Sequence, residues 1–364
     1  MIRRRYLSIR QLEEGMVIDQ SIIDKTGRIL VAKKSVLDEY VIQALGRLNI
    51  PGVYICEGNE ESKQESIVSP KALERFEKLK KEDLAKVSLS ESVKERVNQG
   101  VKYIFNNPKD QGCVDAANSV SGELMRVITE NDALAIDIGT LRVNDEYTFK
   151  HSVDVASMAM IIAKRNKMSS KDVYQIGVAG LLHDLGKCDI PNDILNKPDK
   201  LTDDEFTIMK KHPVYGYNIL KNKSGVSNEI LLGVLQHHEK INGSGYPMGV
   251  TTKNMSPYAQ ILAVADIYDA LVTERPYKKA FSPRDAVEMI MAMTRELDMK
   301  SIRLLLNTVI LYPVGSEVVL SNGERARVVE NFIDYPTRPK VIGMATGTVY
   351  NLAEDIKYAN IIVE

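Results

Sequence analysis

The residues of this chain that could do chemistry are grouped in one region. The chain has 364 residues, and all of its histidines lie between positions 151 and 238: His151, His183, His212, His237 and His238. A single histidine is usually an ordinary core or surface residue, but five in one stretch favour a shared site. Two carboxylates accompany them. Asp184 directly follows His183 in GLLHDLGK, and Asp266 lies in the apolar segment AVADIYDAL.

The apolar surroundings of these groups favour a metal site. A buried imidazole or carboxylate needs a partner, and a metal ion is one such partner. For Asp266 the alternative is a salt bridge or a helix cap, and Asp269 lies three residues on, close to the same helix face. Imidazole and carboxylate ligands without thiolate suit Mn, Fe, Zn, Ni or Co. Five histidines and two aspartates exceed the needs of one tetrahedral ion and fit two metals that share a bridging carboxylate, an arrangement used for displacement at phosphorus.

The stretch HHEKINGSGYP, residues 237–247, places two imidazoles side by side. Neighbouring residues of an α-helix point about 100° apart, because a turn holds about 3.6 residues. His237 and His238 therefore reach one ion only if the helix loosens there. Gly243 and Gly245 allow an abrupt exit from the helix, and Pro247 stiffens the loop beyond it.

The composition is that of a soluble globular chain, with 44% hydrophobic and 27% charged residues. A formal net charge of −1 provides no global field for a nucleic acid polymer or a membrane surface. The basic N-terminus lacks the apolar region of a signal peptide, and no apolar run is long enough for membrane insertion, so we expect a cytoplasmic chain. Cys56, Cys113 and Cys188 are expected to be small buried hydrophobes in a reducing compartment.

The elements that must position the histidines are predicted to be mainly helical. Residues 140–305 are expected to form an all-helical domain, with HSVDVASMAMIIAKR and AQILAVADIYDALV as core helices. Residues 57–139 are predicted to be a linker and a helical spacer. One spacer helix is expected to begin at Ser69 and Pro70, because serine caps a helix and proline suits its first turn.

Small modules are predicted at both ends of the chain. Residues 1–56 indicate an α/β or β module, with two β-branched runs joined by a turn at Gly27 and followed by a helix. Residues 306–364 alternate as strands do and indicate a β module. Its Asn322-Gly323 pair is a strong hairpin signal.

The motifs resemble the HD-GYP domain of the HD superfamily of metal-dependent phosphohydrolases. The resemblance follows DEYTFKHS, GLLHDLGK, ILNKPDKLTDDE, KKHPVYGYNIL, HHEKINGSGYP, AVADIYDAL and ERPYKKAFSP, in that order. It implies an HD-type all-helical catalytic domain that hydrolyses cyclic di-GMP to pGpG and, as many members do, onward to GMP. The alternatives are a phosphodiesterase for another cyclic dinucleotide, such as cyclic GMP-AMP, a non-catalytic sensor or adaptor, and a helical scaffold with incidental histidines.

Carried over position by position, the resemblance implies two metal ions. One would be held by His151, His183, Asp184 and Asp266, and Asp184 would bridge to a second ion held by His212, His237 and His238. The implied nucleophile is a hydroxide activated by both metals. Iron or manganese fits the habit of the family, and zinc, nickel and cobalt are alternatives. Tyr147 stands where some members carry a glutamate for a third metal, and Glu146 is shifted by one residue, so we predict two metals.

The resemblance also implies roles outside the metal ligands. Lys187 matches a lysine that contacts the scissile phosphate, and it would act beside Asp184 in catalysis. Arg275 and Lys278 match residues that grip the phosphates. Gly245-Tyr246-Pro247 is interpreted as a pocket rim or a partner surface, for which a GGDEF-type cyclase is a candidate. A homodimer is a separate candidate partner. Under that interpretation Tyr246→Ala would leave the metal content unchanged.

Overall fold

The N-terminal residues form a small α/β unit. In this computed structural model the described residues are 3–20, 22–23, 29–31, 35–47, 50, 52–57, 69–83, 89–130, 147–273 and 279–364. The elements of the N-terminal unit are β1 (Arg3–Ser8), β2 (Val17–Ile18), β3 (Ile22–Ile23), β4 (Ile29–Val31), α1 (Glu39–Arg47) and β5 (Gly52–Glu57). β5 pairs antiparallel with β1 and β2, and β3 pairs antiparallel with β4. Apolar side chains such as Ile18, Leu37 and Ile55 give this unit a core of its own. The turn predicted at Gly27 lies outside the described residues.

The chain then becomes helical, as predicted. The helices are α2 (Pro70–Leu79), α3 (Glu91–Asn106), α4 (Gly112–Glu130), α5 (Tyr147–Arg165), α6 (Ser170–Leu182), α7 (Asn192–Leu195), α8 (Asp203–Met209), α9 (His212–Leu220), α10 (Asn228–Gln236), α11 (Pro257–Val272), α12 (Pro283–Ala292) and α13 (Met299–Leu306). A 3-10 turn, Leu185–Asp189, follows α6. The two apolar segments predicted as core helices are α5 and α11, and residues 151–163 of α5 are all buried.

The start of α2 follows the predicted capping chemistry. The Ser69 hydroxyl accepts a hydrogen bond from the Ala72 N–H at 3.1 Å, and Pro70 is the first helical residue. Further on, α3 buries Val93 and Val97 against the same continuous core as α5 and α11. The predicted spacer therefore packs directly on the helices that carry the histidines, while the limits at residues 56, 139 and 305 stay predictions.

The C-terminal part is a four-stranded antiparallel sheet among the described residues. Its strands, in spatial order, are β6 (Glu317–Val319), β7 (Arg325–Glu330), β8 (Lys340–Gly343) and β9 (Val349–Asn351). Gly323 has a φ of +81° in the turn between β6 and β7, which confirms the hairpin predicted at Asn322-Gly323. Phe76 of α2 packs against Val329 and Ile342 of this sheet. The fold is thus mainly α, with small β-containing units at both ends.

The cysteines require a correction. Cys113 is buried as expected, but Cys188 is exposed, so the expectation of a buried hydrophobe is wrong there. Cys188 lies in the 3-10 turn after α6, whose Leu185 and Gly186 are buried while Cys188 and Asp189 face solvent. The side chain of Cys56 lies outside the described residues. No helix in the described part of the chain is both long and apolar enough to cross a bilayer.

Candidate metal centre

The seven predicted ligand residues converge on one buried site, mostly at the ends of helices. His183 is the C-cap of α6, His212 is the first residue of α9, and His237 is the C-cap of α10. α10 ends at Gln236; His237 caps it with right-handed helical φ and ψ, and His238 lies beyond the helix. Their ring centroids lie 4.2 Å apart. The loosening that the adjacent histidines require is therefore present.

The ligand atoms form two groups. Asp184, His212, His237 and His238 make up the first, and His151, His183 and Asp266 make up the second. Within each group the candidate atoms lie within 4.8 Å of one another. We call these the Asp184 group and the His151 group.

Asp184 lies between the two groups. Its Oδ1 is 3.4 Å from Nε2 of His212, in the Asp184 group. Its Oδ2 is 3.3 Å from Nε2 of His183 and 3.7 Å from Nε2 of His151, in the other group. The two oxygens of one carboxylate thus face opposite ligand sets, as a bridging carboxylate must.

Backbone carbonyls orient three of the imidazoles. The Nδ1 atoms of His183, His212 and His237 lie 2.7, 2.8 and 2.7 Å from the carbonyl oxygens of the residues three positions earlier. A carbonyl oxygen only accepts, so each Nδ1 carries the proton and each Nε2 presents its lone pair. Such hydrogen bonds fix the tautomer and the ring direction of metal-binding histidines.

Burial keeps the histidines of the Asp184 group neutral. It lowers the pKa of His212 to about 3 and that of His238 to about 4, and it holds the pKa of His237 well below its usual range. All three imidazoles are therefore unprotonated near neutral pH. Neutral imidazole is the form that binds metals.

The two carboxylates stay ionised although they are buried. Burial alone would raise the pKa of Asp184, but Lys187 and the nearby histidines outweigh it and hold that pKa well below its usual range. Burial would also raise the pKa of Asp266, but the hydrogen bond from His151 and the nearby histidines outweigh it and lower that pKa. Burial would lower the pKa of His151, but Asp266 and Asp269 raise it to about 10. The site is anionic enough to stabilise positive charge.

Two buried atoms have no hydrogen-bond partner among the described residues and face the site. They are Nε2 of His183 and Oδ1 of Asp184. An unsatisfied buried polar atom costs about 1–3 kcal/mol, so such atoms in a folded protein need an explanation. Lone pairs aimed at a shared anionic space are satisfied by cations. The residues present therefore fit divalent transition-metal ions.

Comparisons with known proteins identify the kind of domain in this region of the chain. A family model described as an HD domain matches residues 137–300. A cyclic di-GMP phosphodiesterase of Pseudomonas aeruginosa is 33% identical over 254 residues, which cover 68% of this chain and 61% of that protein. The chain contains an HD domain.

Two further relatives match shorter stretches of the chain. A cyclic di-GMP phosphodiesterase response regulator of Xanthomonas campestris pv. campestris is 40% identical over 147 residues, covering 39% of this chain and 38% of that protein. A 3'3'-cGAMP-specific phosphodiesterase of Vibrio cholerae is 39% identical over 145 residues, covering 40% of this chain and 31% of that protein. The chain spans less than two thirds of the length of each of these relatives.

Lys187 stands at the mouth of the site in the HD domain. Its Nζ donates to Oδ2 of Asp184 at 2.6 Å, and its side chain is 32% exposed. It therefore reaches both the carboxylate and the solvent-accessible side of the site. Arg275 and Lys278 lie outside the described residues, as do Glu146 and the side chain of Tyr147, so the phosphate grip and the choice of two metals over three stay predictions.

The structure adds two functional candidates of the HD domain that the sequence motifs do not indicate. Asp269, weighed there only as a competitor of Asp266, is fully buried, and its Oδ2 accepts from Nδ1 of His151 at 2.7 Å. In the sequence, this role is indicated only by the position of Asp269, three residues after Asp266 on the same apolar helix. Glu239, directly after the paired histidines, is 1% exposed and bonds to the backbone of the glycine-containing loop that follows. A glutamate in a polar motif gives no comparable signal.

The loop that carries Gly245-Tyr246-Pro247 folds back onto the site. The ring centroid of Tyr246 lies 4.7 Å from that of His238 and 6.4 Å from that of His212. Burial raises the pKa of Tyr246, so its phenol is neutral near neutral pH. The Tyr246-Pro247 peptide bond is cis. The tripeptide thus lines the site next to a candidate ligand, which is compatible with the predicted rim.

Proposed function

We propose that this chain hydrolyses a phosphodiester bond of cyclic di-GMP to give linear pGpG. The observation that carries the proposal is the position of Asp184, whose two oxygens face opposite groups of candidate ligands. A pair of cations sharing a carboxylate is a recurrent arrangement for displacement at phosphorus. The names of relatives from Pseudomonas aeruginosa and Xanthomonas campestris support cyclic di-GMP as the substrate.

The Asp184 group and the His151 group would each hold one divalent ion, with Asp184 in contact with both. When bound, two such ions supply a nucleophile at neutral pH by making water more acidic, and they stabilise negative charge on the phosphoryl oxygens. The nitrogen and oxygen ligand set and the resemblance support iron or manganese. Zinc, nickel and cobalt are the alternatives.

The protein's own side chains would bind and orient the phosphodiester. Lys187 is held by Asp184 at the mouth of the site, where its ammonium would offset the charge that develops on the reacting phosphate. The P–O bond to the leaving ribose oxygen breaks while a new P–O bond forms from water, which opens the ring to a linear dinucleotide. Arg275 and Lys278 are proposed to grip the phosphates, on the strength of the motif ERPYKK.

Cyclic GMP-AMP is the second candidate substrate. The observation that favours it is the relative from Vibrio cholerae, which is named as specific for 3'3'-cGAMP and is 39% identical over 145 residues. Both substrates present the same ribose-phosphate ring to the metals and to Lys187. They differ in one base, so base recognition must separate them.

The test is to incubate manganese- or iron-loaded protein with each dinucleotide and to separate the products by chromatography. We expect linear pGpG from cyclic di-GMP, and no turnover by Asp184→Asn, which keeps the side-chain shape but removes the charge. Asp193→Asn is the matched control, because Asp193 is exposed on the nearby helix α7. Turnover that survives Asp184→Asn would contradict the proposed mechanism, and turnover of cyclic GMP-AMP alone would replace the proposed substrate.

A GGDEF-type cyclase that contacts Gly245-Tyr246-Pro247, and a homodimer, are proposed as partners. The resemblance in HHEKINGSGYP supports the cyclase. Light scattering of the purified chain measures the second directly, and a mass of one chain at micromolar concentration would exclude the homodimer there.

A further inference from the structure

His238 is the exception among the five histidines. A carbonyl or a carboxylate fixes Nδ1 in each of the other four. Neither ring nitrogen of His238 has a hydrogen-bond partner among the described residues, and the nearest carboxylate oxygen, Oδ2 of Asp266, is 3.7 Å from its Nδ1. The direction of this ring must therefore be set by packing.

Tyr246 contributes to that packing together with the rings of His237 and His212, whose centroids lie 4.2 and 5.0 Å from that of His238. The ring of Tyr246 is tilted by 34° against the ring of His238 at a centroid distance of 4.7 Å, which is within the range of favourable aromatic pairs. The backbone N–H of Tyr246 donates to the carbonyl oxygen of His238 at 3.2 Å. Tyr246 is thus fastened to the backbone of the residue whose side chain it covers.

Glu239 fastens the loop on the far side of Tyr246. Its Oε1 accepts from the backbone N–H groups of Met248 at 2.7 Å and Gly249 at 3.1 Å, and its Oε2 accepts from that of Val250 at 3.1 Å. No lysine or arginine of the described residues forms an ion pair with Glu239 in the structure. Three charge-assisted bonds to backbone are therefore what this buried carboxylate gains from folding.

The close fold of the loop requires a glycine at position 245. A Cβ atom there would lie 2.3 Å from the backbone nitrogen of Lys240 and 2.5 Å from the Cα of Glu239. Both neighbours are backbone atoms, which cannot move aside as a flexible side chain would. Gly245 thus lets the chain turn back directly over Glu239. The Glu239 carboxylate then binds the backbone of residues 248–250.

We propose that Glu239 is a positioning residue for metal binding. It holds the loop of residues 243–250, the loop holds Tyr246, and Tyr246 orients His238 towards the Asp184 group. The His151 group contains neither His238 nor any contact of Glu239. Loss of Glu239 therefore weakens one metal position and spares the other. This inference rests on the proposed function only for the presence of metals.

For Tyr246→Ala, this proposal predicts a change in metal content, whereas the interpretation of the motif as a rim or partner surface predicts none. A rim or partner surface would leave metal content unchanged in Tyr246→Ala. If the ring orients His238, the alanine variant loses metal at the Asp184 group, whereas Tyr246→Phe keeps the ring and retains the metal.

The experiment is a metal titration of the full chain against a competing chelator with manganese as the probe, combined with amide hydrogen exchange. The variants are Glu239→Gln, Tyr246→Ala and Tyr246→Phe, and Glu229→Gln is the control because Glu229 is exposed on α10. We expect Glu239→Gln to weaken one of two binding steps by about 10–100-fold, the usual cost of losing an outer partner of a ligand. Exchange at Met248, Gly249 and Val250 should quicken in the same variant.

Two results would overturn the proposal. One is a Glu239→Gln chain whose loop amides exchange faster but whose two manganese affinities match those of the parent. The other is equal metal binding by Tyr246→Ala and Tyr246→Phe, which decides the question even if Glu239→Gln fails to fold. Neither readout uses substrate, so a parent chain that binds two metals but cleaves no cyclic dinucleotide would contradict the proposed function alone.

Discussion

At the residue scale, the partners behind the ligand atoms determine whether a histidine can bind a metal. His151 shows this most clearly, because Asp269 accepts from its Nδ1 at 2.7 Å and leaves Nε2 directed at Asp266 and Asp184. The other oxygen of Asp269 accepts from the hydroxyl of Thr273 at 3.1 Å. A carboxylate held in this way cannot rotate out of reach of the imidazole.

Asp269→Asn should weaken metal binding at the His151 group. The amide can still meet the ring, but it carries no charge, and its NH₂ group can present the wrong partner to Nδ1. We expect a loss of about 10–100-fold in affinity, measured by competition with a chelator. Asp285→Asn, at an exposed position in the first turn of α12, serves as the control. Unchanged affinity in Asp269→Asn would mean that packing alone orients His151.

The depressed pKa values of His212 and His238 predict a pH dependence for the metal-free protein. Folding keeps both neutral down to about pH 3 and about pH 4, whereas the unfolded chain takes up protons below about pH 6.5. Their contribution to stability is therefore complete above pH 6.5 and is lost as the pH falls. Each group lowers the free energy of unfolding by about 1.4 kcal/mol per pH unit within that window.

Urea denaturation of metal-free protein between pH 6.5 and 4.5 measures this slope. The window lies above the range in which Asp184 and Asp266, with lowered pKa values, take up protons. His151 has the opposite sign, because its pKa of about 10 contributes stability that is lost only as the pH rises above 6.5. The slope should be shallower in His212→Asn. A flat profile in the parent chain would contradict the neutral, buried state of these rings.

At the element scale, one contact between backbones sets the distance between the ligand-bearing segments. Gly186, in the turn after Asp184, lies against α9, which begins at His212. A Cβ atom on Gly186 would be 2.0 Å from the carbonyl oxygen of His212 and 2.3 Å from the backbone nitrogen of Gly216. Only glycine allows the turn and the helix to approach closely enough for Asp184 to meet His212.

Gly186→Ala should separate these segments. We expect a loss of about 1–3 kcal/mol in the free energy of unfolding, typical of overpacking, together with weaker metal binding by the Asp184 group. Gly122→Ala is the matched control, because its Cβ would meet only the ring of Tyr174 at an ordinary 3.9 Å. That change should be neutral or stabilising by about 0.5–1 kcal/mol. Equal effects of the two substitutions on metal affinity would refute the spacing role of Gly186.

The sequence predicts the helices and the ligand candidates well because both follow local rules. Apolar periodicity identifies α5 and α11, Ser69 and Pro70 mark the start of α2, and Asn322-Gly323 marks the hairpin. What it does not predict depends on contacts between distant segments. The orientation of Cys188 depends on which face of a short turn is covered.

The role of Glu239 shows the same limit. Its three hydrogen bonds join it to residues 9, 10 and 11 positions later, and they exist only because the loop turns back at Gly245. Neither the glutamate at position 239 nor its neighbours in the motif indicate that the loop turns back onto it.

At the scale of the whole molecule, Arg327 connects the N-terminal unit, α2 and the C-terminal sheet. Its guanidinium lies 5.4 Å from the ring centroid of Tyr40 and 5.6 Å from that of Phe76. One nitrogen is 3.1 Å from a carboxylate oxygen of Glu317 and 4.0 Å from one of Asp38. Arg327 is nearly buried, so this cluster ties together parts of the chain that have separate small cores.

Arg327→Ala should loosen the attachment of the N-terminal unit. It removes the cation–π contacts with Tyr40 and Phe76 and the cation nearest to Asp38, while Glu317 keeps its pair with Arg325, so we expect a loss of about 1–3 kcal/mol in the free energy of unfolding. Limited proteolysis should then release the N-terminal unit sooner. Arg325→Ala, on the same strand and paired with the same Glu317 but exposed, should cost less than about 1 kcal/mol. Equal proteolysis of both variants would argue against the connecting role.

We propose that seven side chains from five separate segments form one site for two metal ions that share Asp184. Elemental analysis of purified protein after reconstitution with manganese measures this directly. We expect about two equivalents of metal per chain for the parent and a loss of metal from both positions in Asp184→Ala, because that carboxylate faces both groups. A parent chain without stoichiometric metal, or an Asp184→Ala chain that keeps two equivalents, would contradict it.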